Sequence, residues 1–387
     1  MTHEEDSVQV NDLDHGRLRR LAALHPENGF KVLSVYMDLD PTSFGTPPAR
    51  ASQVSSLVDE AERRARHADL DHAALMALRA DVGRVREYLR GDFSAKGAHA
   101  LALFASESAD LFEVLRLPDP VRRAVVVNGT PWLDPLIGHG RARRCIALVS
   151  RRTLRVLADT PDGSMGEIAA FADDVPNQHD KGGLSQANYE RSIEEEVRKH
   201  LEHSAQVLFD HLQRHPFDVL AVGATAELYP EFERALHSYL RERSLGRFDV
   251  DVEHASAEQA YAAALPLLEA EKERRLRVLL DRLNAGLANG ERAAGGLGAV
   301  LDALNERRVE TLLYEAGFAS PGYVCPQSGW LGIGPTDCPS GEERAERREN
   351  VLEDAIAAAI VQNADVRSLR DRPELGPHGG IAALLRF

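Results

Sequence analysis

Short apolar segments alternate with amphipathic segments along most of this 387-residue chain. Segments such as 31–38 and 145–150 are rich in β-branched residues and are typical of strands. Longer segments such as 72–90 and 185–214 repeat apolar residues at helical spacing and are typical of helices with one buried face. Strands that alternate with helices predict layered α/β domains.

The length of the chain exceeds what one ordinary core can organise, so two or three domains are expected. We predict three α/β domains, at residues 1–140, 141–274 and 275–387. The first contains a helical hairpin, formed by helices at 52–67 and 72–90. The second is predicted to contain helices at 231–242 and 258–273 and a strand at 248–252. The third is predicted to contain a helix at 276–287 and strands at 309–314 and 365–369. It also carries a Gly/Pro-rich insert at 320–343 and ends on an apolar strand.

Composition excludes several classes of protein. A hydrophobic content of 43% with 28% charged residues is typical of a folded protein. No apolar run reaches the roughly 20 residues that span a bilayer, and the acidic N-terminus does not resemble a secretory signal. We therefore expect a cytoplasmic protein. The net charge of -15 disfavours indiscriminate nucleic-acid binding but leaves room for local basic patches.

The three cysteines, Cys145, Cys325 and Cys338, are sparse and odd in number. This argues against a disulfide framework. Cys145 begins an apolar run and is predicted to be a small buried side chain.

Residues 181–191 form the most informative local motif. Gly182 and Gly183 lie between a charged segment and the start of the predicted long helix. Glycines allow backbone angles and close approaches that a side chain forbids, and the start of a helix favours an anion such as phosphate. The alternative is a surface loop that feeds a helix and binds nothing.

Six arginines lie between residues 141 and 155, around the first two predicted strands of the second domain. They are Arg141, Arg143, Arg144, Arg151, Arg152 and Arg155. Such a cluster indicates a local RNA-binding patch, and the alternative is a solvated face with acidic neighbours.

Residues 182–191 read Gly-Gly-Leu-Ser-Gln-Ala-Asn-Tyr-Glu-Arg. They resemble the Gly-Gly-Gln-Ser-Ala-x-Arg-Phe-x-Arg segment of archaeo-eukaryotic peptide-chain release factors. The Val-Leu-Ala-Val-Gly run at 219–223 is similar to the strand that follows the long helix in that family. Segments 294–314 and 379–387 resemble the family's third domain. These ordered matches cover most of residues 30–387.

The sequence looks closest to the bacterial branch of the family, which includes Balon-type ribosome hibernation factors related to Pelota. The resemblance implies an N-terminal domain at the decoding region and a ribonuclease-H-like middle domain at the peptidyl-transferase centre. It also implies a third domain near the factor-binding region. The 70S ribosome is then the expected partner, elongation factor Tu is a candidate partner, and the family suggests a monomer without a cofactor.

The chain departs from the family at the catalytic glutamine, where it carries Leu184. Leucine neither donates nor accepts a hydrogen bond, so it cannot orient water at the peptidyl-tRNA ester. Gln186 lies two residues later and could replace the catalytic glutamine only if the loop had a different conformation. Asn188 stands where the family has an arginine. We therefore expect no catalytic residue.

The remaining motif residues are expected to contact RNA without chemistry. The predicted RNA-binding set is Lys181, Gly182, Gly183, Leu184, Ser185, Gln186, Arg191, Arg141, Arg143 and Arg144.

Two further family features are missing. The Asn-Ile-Lys-Ser motif that reads stop codons is absent from the hairpin joint at 66–72, so codon-specific decoding is not expected. The insert resembles a decayed zinc ribbon, in which Cys325 and Cys338 remain while Ser328 and Gly341 occupy the other two ligand positions. A structural zinc site takes four ligands, so we expect no metal.

The leading hypothesis is a ribosome-binding hibernation factor that occupies the A site of vacant or stalled ribosomes without hydrolysing peptidyl-tRNA. A peptidyl-tRNA hydrolase or a tRNA-cleaving rescue enzyme on the same scaffold is the main alternative. A stress protein with an unrelated partner is a third. No P-loop, Rossmann fingerprint, nucleophile elbow or His-Glu-x-x-His motif is present.

Overall fold

The computed structural model shows a mixed α/β protein, as predicted from the sequence. It describes most of the chain. The described residues are 15–26, 29–39, 47–68, 70–91, 98–117, 120–137, 143–160, 165–173, 186–335, 338, 344–370 and 372–387. They form two compact units, Arg141–Arg277 (the middle unit) and Met1–Gly140 together with Val278–Phe387 (the outer unit).

The N-terminal segment of the outer unit is built on an antiparallel sheet of order β3-β2-β1-β4. Its strands are β1 Val32–Asp38, β2 Ala100–Ser106, β3 Leu111–Leu117 and β4 Ala124–Asn128, and its helices are α1 His15–Ala22, α2 Pro47–His67 and α3 His72–Arg90. The predicted helical hairpin is confirmed. Asp71 caps α3 by accepting a 2.8 Å hydrogen bond from the Ala74 amide, which satisfies one of the unpaired N–H groups of a helix start.

The two faces of this sheet join different cores, because successive strand residues point to opposite sides. Leu33, Val35 and Met37 pack with the apolar faces of α2 and α3. Tyr36, between them, packs with apolar residues of the C-terminal segment such as Leu312. This shared core explains why the two ends of the chain form one unit.

The C-terminal segment carries a sheet of order β10-β16-β11-β15 and a small sheet of order β13-β12-β14. The strands are β10 Ala293–Gly295, β11 Val309–Glu315, β12 Gly322–Val324, β13 Leu331–Gly332, β14 Glu346–Arg348, β15 Asp365–Leu369 and β16 Ile381–Leu385, with helices α8 Leu297–Asn305 and α9 Leu352–Val361. The predicted strands at 309–314 and 365–369 are confirmed.

The middle unit is a five-stranded sheet of order β7-β6-β5-β8-β9. Its strands are β5 Arg144–Val149, β6 Thr153–Asp159, β7 Met165–Ala172, β8 Val219–Gly223 and β9 Ser244–Phe248. Its helices are α4 Gln186–Arg214, α5 Tyr229–Ala235, α6 Ser238–Arg241 and α7 Ala257–Asn289. The end of α7 from Val278 onward belongs to the outer unit. Apolar residues of α4 pack on one face of the sheet, and Ala260 and Ala264 of α7 pack on the other.

Three sequence predictions in the middle unit were wrong in detail. The helix predicted at 231–242 is two helices, because Leu236 leaves the helical conformation with ψ of 138°. The strand predicted at 248–252 lies at Ser244–Phe248. Two helices predicted at 258–273 and 276–287 are one helix, α7, despite Pro266 inside it.

The continuity of α7 through residue 274 has a local cause. Glu271 accepts hydrogen bonds from both Arg274 (2.7 Å) and Arg275 (2.6 Å), so ion pairs at helical spacing support the turn where a break was expected. The three predicted domain boundaries stay predictions, since the two compact units do not test them.

The cysteines required a correction. Cys145 is buried and free, as predicted. Cys325 and Cys338, however, form a disulfide, where their odd number had argued against disulfides. The pair therefore ties the insert covalently and holds no thiolate for zinc. Among the described residues, no helix is long and apolar enough to cross a membrane.

Candidate functional site

The predicted RNA-binding residues fall partly outside the described structure. Lys181, Gly182, Gly183, Leu184, Ser185 and Arg141 lie outside the described residues. Helix α4 begins at Gln186, and Arg191 is exposed on its second turn. The structure therefore defines what flanks the tip segment (residues 174–185): strand β7 with Asp173 before it and helix α4 after it.

Two histidines of α4 hold Asp173, the last described residue before the tip segment. Its Oδ2 atom lies 2.7 Å from Nδ1 of His200 and 3.2 Å from Nδ1 of His203. A carboxylate only accepts hydrogen bonds, so each Nδ1 is the donor. We call Asp173, His200 and His203 the histidine clasp, because they fix the start of the tip segment to the helix that follows it.

The electrostatics of the clasp favour an ionised Asp173. Burial of the carboxyl acts to raise its pKa, but hydrogen bonds and positive charge from His200 and His203 outweigh this and hold the pKa below its usual value. Asp173 is about one-third exposed while the His200 side chain is fully buried. The clasp thus joins a solvent-facing carboxylate to the interior of the middle unit.

Backbone and aromatic contacts reinforce the same place. The Asp173 amide donates a 2.9 Å hydrogen bond to the carbonyl of Arg152, in the turn between β5 and β6. The Phe171 ring lies 4.4 Å from the His203 ring and 5.7 Å from the His200 ring, centroid to centroid. Several elements of the middle unit therefore converge where the tip segment begins.

Ser204, His200 and Asp173 line up in the order of a nucleophile, base and acid. Ser204 Oγ lies 3.4 Å from Nε2 of His200. The serine is fully buried, however, one helical turn beyond the histidine. A nucleophile must reach its substrate, so this burial assigns the three residues to structure rather than to acyl transfer.

Arg143 and Arg144 lie far from Gln186, the first residue of α4. The Arg143 amide donates a 2.7 Å hydrogen bond to Asp218, and Arg144 pairs in register with Val219. Both contacts are beside the C-terminal end of α4, whose 29 residues span roughly 43 Å. These two arginines therefore lie about one helix length from Gln186, and their predicted RNA contact is not tested.

Acidic and carbonyl partners occupy several arginines of the predicted patch. The Arg144 guanidinium is paired with Asp159 and donates a 2.6 Å hydrogen bond to the Tyr261 hydroxyl. Arg155 pairs with Glu167 at 2.6 Å and bonds the Ala255 carbonyl at 2.9 Å. Arg144 and Arg155 thus stabilise the sheet of the middle unit, and the RNA contact predicted for this cluster stays a prediction.

Sequence reasoning missed the histidine clasp. His200 follows Ile193 by seven residues and shares the buried face of α4 with Val197. A polar residue at a position where helical spacing predicts an apolar one was the only indication in the sequence. Its partner Asp173 is 27 residues away, and no pattern in the sequence links them. Among the described residues, no group of three or more His, Cys, Asp or Glu side chains is arranged to hold a metal ion.

Comparison with known families identifies the class of this domain. The family model "Bacterial archaeo-eukaryotic release factor family 10" matches residues 131–269, which span the sheet, the tip segment and α4. The match places this domain in the archaeo-eukaryotic release factor superfamily. No curated protein matches the sequence.

Solved structures of an archaeal termination factor and of Pelota and Dom34 are similar at low identity. An archaeal translation termination factor, aRF1, is 18% identical over 96% of both chains, with a TM-score of 0.24. Pelota from Archaeoglobus fulgidus is 16% identical over 76% of this chain and 80% of its own, with a TM-score of 0.32. Dom34 from S. cerevisiae is 10% identical over 76% and 82%, with a TM-score of 0.40. Because these TM-scores are low, the assignment rests on the family match.

Proposed function

We propose that this protein binds the 70S ribosome and occupies the A site of vacant or stalled particles as a hibernation factor, without hydrolysing peptidyl-tRNA. The observation that carries the proposal is Leu184 directly after Gly182 and Gly183, inside a domain that matches a release factor family. The backbone freedom of the motif is kept while its reactive amide is lost.

The chemistry of the motif supports occlusion rather than catalysis. Two glycines permit close approach of the backbone to RNA phosphates and bases. A leucine in the third position has no polar atom to place water at an ester carbonyl. Removal of one positioned polar group from a catalytic site typically costs a hundredfold or more in rate, about 3 kcal/mol. We therefore expect the tip segment to occupy a ribosomal site without catalysing a reaction there.

The histidine clasp supports the same proposal from the structural side. A segment that enters a narrow RNA cavity needs a fixed base, and Asp173 is tied to α4 and to the turn at Arg152. Lys181 and Arg191 flank the motif and supply the charge for phosphate contacts. From the family resemblance, we also propose that elongation factor Tu delivers the protein and that the protein acts in the cytoplasm.

Ribosome pelleting tests the binding step. We expect the protein to sediment with 70S particles and to dissociate as salt rises, because phosphate contacts release counterions. The double variant Lys181→Glu/Arg191→Glu is expected to bind more weakly and to lower the salt slope by about two. Arg234→Glu/Arg241→Glu is the matched control, since both residues are exposed in the same unit. Equal loss in both doubles, or no pelleting at low salt, contradicts the proposal.

A peptidyl-tRNA release assay tests the absence of catalysis. We expect no release by the wild-type protein on ribosomes that it demonstrably binds. Leu184→Gln restores the family residue and shows whether the remaining site is competent. Release by the wild type, abolished by Gln186→Ala, would establish the hydrolase alternative and end the proposal of an inert tip.

A further inference from the structure

A cavity of about 350 Å³ lies in the outer unit, where α8 and α9 meet the insert. Its volume falls within the range of small-molecule sites, roughly 300–1,000 Å³. Apolar side chains form most of its wall, chiefly Leu304, Trp330, Ala357, Ala358 and Val361. A site of this kind takes a compact apolar molecule, and its few polar groups select the head group of that molecule.

The insert holds the aromatic part of this wall in place. Asn305 on α8 bonds both the amide and the carbonyl of Leu331, at 2.9 and 2.8 Å. The Cys325 amide donates a 2.8 Å hydrogen bond to the Trp330 carbonyl, and the disulfide fixes Cys325. The Trp330 ring packs against Gly332, where a Cβ atom would collide with it. The indole is therefore a built wall of the cavity.

Arg307 supplies a guanidinium to this cavity. Its side chain lines the cavity, is exposed and makes no ion pair with the described residues. The acidic residue of the lining, Asp354, is only 6% exposed and faces Arg348 at 3.8 Å. His25 also lines the cavity, but its Nδ1 donates to the Ala23 carbonyl at 3.1 Å, so Nε2 of the neutral ring carries no hydrogen. An anionic group is therefore the chemistry that complements Arg307.

The backbone of Arg307 is a second, independent sign of a ligand. Its φ is 57°, in the left-handed region that favours glycine. Arg307 occupies the position just after the C-cap of α8, which is Glu306, and glycine is the common residue there. A side chain in this conformation destabilises the fold relative to glycine. Backbone strain of this kind is concentrated at ligand sites.

We propose that this cavity binds a small apolar carboxylate, a molecule with one carboxylate group on a compact apolar body. The carboxylate would accept hydrogen bonds from the Arg307 guanidinium, whose planar fork matches it. The body would lie against Leu304 and Val361, with the Trp330 ring as its aromatic face. All of these residues belong to the outer unit, and the proposal does not depend on ribosome binding.

Calorimetric titration of the full-length protein with 3-phenylpropionate tests the head group and the body of the ligand separately. We expect the wild type to bind this acid. It should bind 3-phenylpropanamide, which has the same body without the charge, about tenfold or more weakly, because a hydrogen bond between charged groups is lost. Ala358→Leu fills the cavity from α9 and should abolish binding of the acid while Arg307 stays in place.

Arg307→Gly distinguishes an arginine that binds a ligand from one that only shapes a turn. The variant should lose about tenfold or more in affinity for the acid. Because glycine adopts the left-handed conformation without strain, its Tm should also rise by about 2 °C. Arg292→Gly is the matched control, since Arg292 has a φ of 54°, is exposed in the same unit and lies outside this cavity. It should gain the same stability and bind the acid normally.

Three outcomes would overturn the proposal. The first is the absence of heat and of any shift in the Trp330 indole resonance at millimolar 3-phenylpropionate. The second is equal affinity of the wild type and Arg307→Gly for the acid, or equal affinity of the wild type for the acid and the amide. The third concerns the peptide acetyl-Gly-Gly-Gly-Phe, which presents the same carboxylate and ring at a chain terminus. If this peptide binds and the free acid does not, the ligand is a partner protein and not a small molecule.

Discussion

The middle unit and the outer unit bury polar side chains in different ways. Of the eight described polar residues that are almost fully buried, only His200 and Ser204 belong to the middle unit, where Ser204 contacts His200 and His200 contacts Asp173. The other six, among them Asp81 and Asp354, are scattered through the outer unit. The middle unit is an apolar scaffold with one polar point, where the candidate site begins.

The outer unit uses buried polar contacts to join segments that are distant in the chain. Tyr314 donates to Asp134, 180 residues away, and Asn128 donates to Glu353, 225 residues away. A buried polar group that loses its hydrogen-bond partner raises the free energy of the folded state, so these contacts favour one arrangement of the two segments. Among the described residues, the middle unit therefore concentrates its buried polar side chains beside Asp173, whereas the outer unit uses them to hold distant segments together.

The largest effect is expected from the apolar scaffold of the middle unit. Leu208 is fully buried in the core that α4 forms with the sheet. Leu208→Ala should lower the free energy of unfolding by about 2–5 kcal/mol, measured by urea titration. Leu265→Ala removes the same atoms from a side chain that is 38% exposed and should cost far less. Equal losses would contradict a core organised around α4.

The disulfide of the outer unit should contribute next. Cys325 and Cys338 are 13 residues apart, and closure of such a short loop stabilises a fold by about 3 kcal/mol in the chain-entropy model. Dithiothreitol should lower the unfolding free energy by that order. Alkylation of both cysteines in the native, unreduced protein would show that the bond does not form.

Glu353 should make the outer unit sensitive to pH. Burial, aided by the charge of Asp354, raises its pKa from 4.5 to about 7. The folded state then binds a proton that the unfolded state has released, so stability should fall as pH rises between about 4.5 and about 7. Glu353→Gln should flatten this slope and stabilise the protein at pH 8 by at most about 3 kcal/mol. An unchanged slope in thermal melts from pH 4.5 to 8 would contradict the assignment.

The clasp should give the smallest change in stability and a larger one in binding. Asp173→Asn removes a charged acceptor and should cost about 1 kcal/mol, since the group is partly exposed. Because the folded pKa is lowered, the ionised carboxylate stabilises the fold above the usual pKa near 3.8 and loses this effect as pH falls through the folded value. Wild type and variant should therefore converge in acid.

Ribosome affinity separates the positioning role of the clasp from a merely structural one. Asp173→Asn should weaken pelleting with 70S particles more than its small effect on stability explains. Asp249→Asn, which alters a highly exposed acid of the same unit, should leave pelleting unchanged. If both variants pellet like the wild type, the clasp does not position the tip.

Periodic patterns made most of the fold predictable. The helical hairpin and the strands at 31–38 and 309–314 were found from apolar spacing, because packing of one face dictates that spacing. The break predicted at residue 274 failed because ion pairs of Glu271 support the helix there. The disulfide, the clasp and the Asn128–Glu353 contact were not predictable, since each depends on which distant segments meet.

The candidate site divides in the same way. The Gly-Gly motif and its lost glutamine are visible in the sequence, while the clasp at Asp173 became visible only in three dimensions. The contacts of Arg143 and Arg144 place them beside the C-terminal end of α4. Their proximity to the motif in sequence does not reveal this position, and their RNA contact stays a prediction.

Cryo-electron microscopy of purified 70S ribosomes with excess protein tests the central claim most directly. We expect density for the middle unit in the A site, with residues 181–186 at the peptidyl-transferase centre and no cleaved tRNA beside them. A map with an empty tRNA cavity, from particles that are otherwise saturated with protein, would contradict the account.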